Sequence, residues 1–307
     1  MLISDDIPPC KNTKTMKKFL KWTGWVLGSL VVVLLIAYII IYFMSENRLN
    51  KTYPLAVKPV KVPSGPEAVA AGERVAKMRD CTGCHNEHFE GKVFIEDPAL
   101  GRVIAPNLTG GQGSPTANYN DQDWVRAIRH GLNKEGKPLK IMPSEVFYAI
   151  SNQDLGNMIA YLKALPKVNS NLPESNLKPL ARTLLTFNVI PLLPYERIDH
   201  QAPIQEVVLP SVSAEYGKYL TTTCSGCHGA NFKGGEPHGE GAPRIANITP
   251  GGNLGKWSEE EFKKVLRTGV TPEGKRLETK FMPWNMTKDM TDDELKAIFL
   301  YLKSLPA

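Results

Sequence analysis

Residues 81–91 read CTGCHNEHFEG and residues 224–234 read CSGCHGANFKG. Both write Cys-x-x-Cys-His, then Phe four residues after the His and Gly two further on. On a helical turn, residues i, i+3 and i+4 face one way, so two thiols and an imidazole can meet one flat macrocycle. That is the spacing of covalent haem attachment: thioethers from Cys81 and Cys84, or from Cys224 and Cys227, and an iron bond from His85 or His228. Other uses of the pair fit less well. Zinc takes four ligands, usually from two such pairs, and these pairs lie 143 residues apart. A thioredoxin-like redox pair belongs in a strand–helix context. A disulfide leaves the following His without a role. The fifth cysteine, Cys10, reads as a plain free thiol.

Outward from the two motifs the chain repeats itself. GERVAKMRDCTGCH (72–85) answers GKYLTTTCSGCH (217–228), and APNLTGG (105–111) answers ANITPGG (246–252). DQDWVRAIRHG (121–131) answers EEEFKKVLRTG (259–269), and DLGNMIAYLKALP (154–166) answers ELKAIFLYLKSLP (294–306). Each copy is mostly helical by pattern. A short helix leads into the motif. A second helix opens on acidic residues, which suit its dipole. It carries Trp124 and Ile128, or Phe262, Val265 and Leu266, at helical spacing. A last amphipathic helix stops at Pro166 or Pro306, with Leu155, Met158, Ile159 and Leu162, or Leu295, Ile298, Phe299 and Leu302, as its apolar stripe. Long Gly/Pro/Asn loops run between the helices, so a copy of this size needs a buried macrocycle to fill its core.

Haem iron in a closed site needs a second axial ligand, and the repeat points to Met142 and Met282. Each precedes a Pro and sits in a loop before the last helix. Met286 and Met290 are fallbacks in the second copy, and Met158 reads as helix core. His88 is too near His85 to reach the opposite face. His130 aligns with Thr268, His238 has no counterpart in the first copy, and His200 lies between the copies, so all read as surface residues. His/Met ligation raises the reduction potential and fills all six positions, which suits electron transfer rather than binding of oxygen or peroxide.

Upstream, Trp22 to Met44 is 23 residues without a charge. A helix of that length crosses a hydrocarbon layer of about 30 Å. Trp22 and Trp25 at one end and Tyr38 and Tyr42 near the other match an aromatic belt. Five lysines (Lys11, Lys14, Lys17, Lys18, Lys21) precede the stretch, while only Arg48 and Lys51 follow closely, which puts the N-terminus in the cytoplasm. The run is longer than a signal-peptide core and ends without a small-x-small cleavage site, so an uncleaved anchor is expected. Gly24 and Gly28 are read as ordinary membrane-helix glycines.

The net charge of +6 lies wholly in residues 1–66, which hold nine Lys/Arg against three Asp/Glu. The remainder is close to neutral, without the basic face a nucleic-acid partner would need. Residues 45–66, with four prolines, read as an extended tether. Residues 169–211 hold six prolines and the apolar run LARTLLTFNVIPLLPY (180–195). They read as a linker wrapped over the two copies, with a docking strip as the alternative.

On the two motifs, the Met-Pro pairs and the closing YLK-[AS]-LP helices, the sequence resembles class I cytochrome c in a tandem, membrane-anchored dihaem form. The likeness covers about 67–168 and 212–307. It implies a mostly α fold of two tandem cytochrome c-type haem domains behind one N-terminal transmembrane helix, with two covalently bound haem c. The expected division is cytoplasmic N-terminus 1–21, transmembrane helix 22–44, tether 45–66, domain 1 at 67–168, linker 169–211 and domain 2 at 212–307. In this family a Pro carbonyl often accepts the proximal His N–H. Pro106 matches in the first copy. The second has Ala246 there, so Pro243 or another carbonyl is expected to substitute.

The resemblance is to cytochrome c domains of bacterial respiratory chains and to cytochrome subunits of periplasmic alcohol and aldehyde dehydrogenases. The latter usually carry three haems, and this chain has two motifs. The function expected is an electron carrier of the bacterial inner membrane, haem domains on the periplasmic side, with redox proteins as partners. It would link a quinol-oxidising complex to a terminal oxidase or soluble cytochrome. The alternative is the electron-accepting subunit of a periplasmic dehydrogenase, and a dihaem peroxidase is a poor third.

Overall fold

A computed structural model describes residues 13–237 and 241–307; Cys10 and His238 lie outside them. Helix α1 (Thr13–Asn50) carries the uncharged stretch, and α2 (Pro66–Met78) starts with Pro at its first position, where the missing N–H costs nothing. The motif turn α3 (Cys81–His85) follows, then the strands β1 (Lys92–Asp97) and β2 (Gly101–Ala105), α4 (Asp121–His130), the single turn α5 (Ser144–Phe147) and α6 (Asn152–Ala164). After β3 (Asn176–Leu177) and α7 (Pro179–Thr186), the second copy runs α8 (Ala214–Leu220), the motif turn α9 (Ser225–His228), α10 (Glu259–Thr268) and α11 (Asp292–Ser304). The fold is mostly helical.

The helix ends are written in the sequence. Asn120 and Asp123 form a capping box on α4, as Ser258 and Glu261 do on α10, and each helix closes on a left-handed glycine, Gly131 or Gly269. In each copy the first and last helices cross at a glycine. A Cβ on Gly72 of α2 would be built into the Asn157 carbonyl of α6, and one on Gly217 of α8 into the Ala297 carbonyl of α11. That contact brings the helix backbones together over the apolar stripes. One core gathers Val75, Phe89, Trp124, Ile128, Leu155 and Ile159, the other Tyr219, Phe232, Phe262, Leu266, Leu295 and Ile298.

Three segments depart from the sequence reading. The expected tether begins as helix: α1 continues to Asn50. Beyond it the chain is extended but packed, with Val57, Val60 and Val62 against the first core and Tyr53 N–H donating to the Gly136 carbonyl at 2.9 Å. Alternate small apolar residues let this strap lie flat on the domain. The first copy also builds a sheet, ordered β1-β2-β3 and antiparallel throughout, where loop was expected. The segment 169–211 supplies β3 and α7 to a third cluster of Leu49, Val103, Leu177, Ala181, Leu185, Leu192 and Leu193. Ala181, Leu185, Leu192 and Leu193 of its apolar run are therefore buried against the sheet and the end of α1, not between the two copies, while Leu180, Phe187 and Val189 stay exposed. Arg182 stacks on the Tyr42 ring at 4.5 Å and bonds Ser45 Oγ and Glu46, while Arg48 pairs with Glu196.

The copies touch directly. Tyr219 Oη donates to Asp154 Oδ2 at 2.5 Å and accepts from the Ser151 N–H at 3.2 Å, Arg74 pairs with Glu294, and Met78 packs against both cores.

Candidate haem-binding sites

Each motif occupies one helical turn, with its His buried: His85 is 6% and His228 7% exposed. His85 Nδ1 lies 2.8 Å from the Pro106 carbonyl, and His228 Nδ1 lies 2.8 Å from that of Ala246. A carbonyl can only accept, so Nδ1 carries the proton and Nε2 keeps its lone pair for a metal. Burial lowers the pKa of both imidazoles, and the carbonyl bond opposes it. Of the expected substitutes for proline in the second copy, Pro243 or another carbonyl, the structure uses the carbonyl of Ala246 itself. The acceptor is a backbone oxygen, and Ala246 presents it as well as proline does.

The Phe and Gly that follow each motif build this carbonyl's seat. Phe89 and Phe232 sit in the left-handed region, at φ 59° and 58°. Their carbonyls accept from Leu108 N–H at 2.8 Å and Ile248 N–H at 2.9 Å, which fastens the acceptor loop beside the motif. Gly91 and Gly234 turn back with φ 79° and 70°, and their N–H groups donate to the His85 and His228 carbonyls, both at 2.9 Å. A Cβ at Gly91 would come 2.6 Å from the backbone of residues 105–107, and one at Gly234 would collide with the carbonyls of Ile245 and Ala246. Asn107 and Asn247 finish the loop, each accepting a Thr N–H two residues on at 2.8 Å.

Across each site, Cys81 and Met142 pack on the first core, and Cys224 and Met282 on the second. Both methionines open the same tight turn, in which Ser144 N–H reaches the Met142 carbonyl and Trp284 N–H the Met282 carbonyl, each at 2.7 Å. Met290 is 3% exposed and bonds Thr287 as Ile150 bonds Phe147, so it takes a core position rather than a site position. His130 is not a surface residue: it is buried, its Nδ1 2.9 Å from that of His200.

The thiols suit thioethers better than thiolate chemistry. All four motif cysteines are free, and burial, with Asp80 adding to it, pushes Cys81 up to about 12 and Cys84 to about 11. Among the described residues no three His, Cys, Asp or Glu side chains converge to hold a bare metal ion. A flat macrocycle joined through two sulfurs and one imidazole per copy fits these residues.

The family model for cytochrome c matches residues 69–166 and 214–306. The chain belongs to the cytochrome c family. Cytochrome c domains carry haem c covalently and transfer electrons, so the chain is an electron carrier rather than a catalyst. It is 27% identical over 300 residues to the "Alcohol dehydrogenase (quinone), cytochrome c subunit" of Gluconacetobacter polyoxogenes, covering 85% of this chain and 62% of that protein. It is 23% identical over 270 residues to the "Fructose dehydrogenase cytochrome subunit" of Gluconobacter japonicus, 78% of this chain and 53% of that protein. With the "Gluconate 2-dehydrogenase cytochrome c subunit" of Pantoea cypripedii the identity is 26% over 270 residues, 78% and 60%. The chain thus spans between half and two thirds of the length of these relatives.

Proposed function

We propose that this cytochrome c is the electron-accepting subunit of a membrane-bound dehydrogenase that oxidises a small organic substrate. The observation that carries it is the joint one: two equivalent His–carbonyl sites in a chain similar to proteins named as cytochrome subunits of dehydrogenases. This supports the dehydrogenase alternative over the link between a quinol-oxidising complex and a terminal oxidase. Three relatives carry "quinone" in their names, which makes a membrane quinone the favoured electron acceptor.

In this reading residues 67–168 and 212–307 each hold one haem c, which supplies a one-electron iron couple. Cys81 and Cys84, or Cys224 and Cys227, fix the macrocycle. His85 and His228 would hold the iron through Nε2, oriented by the Pro106 and Ala246 carbonyls. Met142 and Met282 would supply the second protein ligand of each iron, a set that suits electron transfer. In the same reading helix α1 is an uncleaved anchor with the haem domains outside the cytoplasm; its exposed stretch of mean hydropathy 2.8 and the lysines ahead of that stretch support it.

Purification of the native complex from membranes in mild detergent tests the proposal. A co-purifying subunit with an organic redox cofactor, whose substrate reduces both haems, is the expected result. Co-purification with oxidase or quinol-oxidising subunits instead would overturn it.

A further inference from the structure

Arg79 closes α2 two residues before Cys81, and its side chain leaves its own copy. It is 4% exposed. Nη1 donates to Thr222 Oγ1 at 2.6 Å and to Thr223 Oγ1 at 3.1 Å, and Nη2 reaches the Tyr219 carbonyl at 3.4 Å. The guanidinium lies over the Tyr219 ring, 5.0 Å from its centroid. These partners lead into Cys224. Thr222 holds, two residues before Cys224, the repeat position that Arg79 holds before Cys81. The contact therefore joins equivalent points of the two haem-attachment segments.

The cation is poorly compensated. It takes part in none of the ion pairs among the described residues, and its Nε has no hydrogen-bond partner. Gly83 N–H donates to the backbone carbonyl of Asp80, the next residue, at 3.1 Å, and the Asp80 carboxylate lies in the field of Lys92. A buried charge acts through a medium that screens it far less than water does.

We propose that Arg79 is a shared positioning residue for two haems, holding the attachment segments together and raising the reduction potential of both sites at once. The sign follows from charge. Oxidised iron carries one more positive charge than reduced iron, and a cation beside both sites disfavours the oxidised form at both. A cation shared by the two sites moves both potentials in the same direction. The proposal rests on the reading of two haems per chain.

The test uses the full chain in detergent. Haem content is measured first: fewer than two haems per chain overturns the two-haem reading and leaves the role of Arg79 without its premise. With two haems present, redox titration followed by absorbance compares the wild type with Arg79→Gln and Arg79→Lys. Arg79→Gln should cut the equilibrium constant for reduction about tenfold at both haems, which is roughly 59 mV for one electron. Arg79→Lys should stay within about threefold of wild type. If Arg79→Gln does not assemble, Thr222→Glu sets a carboxylate against the cation and should lower both potentials in the same sense. A shift confined to one haem, no shift, or an equal shift in Arg79→Lys overturns the proposal. So do unchanged potentials beside faster hydrogen exchange at 219–224, which would make Arg79 a brace only.

Discussion

Domain 1 and domain 2 answer each other closely around the His and differ in what encloses it. Both seat a carbonyl against Nδ1 at 2.8 Å, both put Phe in the left-handed region, and both set that ring edge-on to a tyrosine of the last helix at 5.8 Å. The enclosure is another matter. Domain 1 adds the β1-β2 hairpin, the strap at 51–65 and the packed segment 169–211. Ile141, next to Met142, is held at φ 64° with its N–H on the Leu192 carbonyl at 2.8 Å; such a backbone is costly for a β-branched residue and persists because its surroundings enforce it. Phe281, its counterpart, needs no such conformation. The core of the site is thus set by the repeated sequence, and its stiffness by segments that only one copy has.

The sharpest way to break the equivalence is at the methionines. Met142→His should lower one potential on the order of 0.2 V, and Met282→His the other, within the roughly 0.8 V that axial ligands command. Redox titration checks this, and a joint shift or none refutes the ligand assignment. Next come the helix crossings. Gly72→Ala and Gly217→Ala each force a Cβ into a backbone carbonyl and should cost about 3 kcal/mol. Hydrogen exchange should show loosening confined to the altered domain.

Acid should separate the domains too. His130 is pushed down from 6.5 to about 4, by burial first and then by the facing His200, Arg129 and Arg126, while domain 2 has Thr268 there. A depressed folded pKa means that the unfolded chain takes up the proton first. The stabilisation is full above pH 6.5 and is lost between pH 6.5 and 4, by roughly 3 kcal/mol at most. Domain 1 should melt earlier than domain 2 as pH falls through that window, and His130→Thr should remove the difference. A smaller contrast lies one residue back. Arg129 is 2% exposed and donates to the Ile150 carbonyl at 2.6 Å and to Asn152 Oδ1 at 2.9 Å, so Arg129→Met should cost about 1–3 kcal/mol. Its counterpart Arg267 pairs with exposed Asp292, and Arg267→Met should cost less than about 1 kcal/mol. Thermal melts of the two variants compare them directly.

What could be read from the sequence was local. The motif turns and the capped helix start at Ser258 depend on neighbours within a few residues. Ala246 was misjudged because the oxygen that matters belongs to the backbone, which residue type does not record. The hairpin had a signal, with Val93, Ile95, Val103 and Ile104 around Pro98 and Gly101, that a helical expectation hid. The reach of Arg79 into the other domain had none, since its partners lie 140 or more residues away.

The end of α1 sets a mechanical condition on electron delivery. The helix runs six residues beyond Met44, about 9 Å. The segment 169–211, packed on domain 1, grips that stub: Arg182 and Glu196 pair with Glu46 and Arg48, and Leu49 joins their apolar cluster. A domain hung on a loose cord samples many heights and headings, whereas one clamped to its own helix works as a fixed-length stand. On the membrane-anchored reading proposed above, a protein that hands electrons to this chain would have to bring its exit cofactor to one altitude.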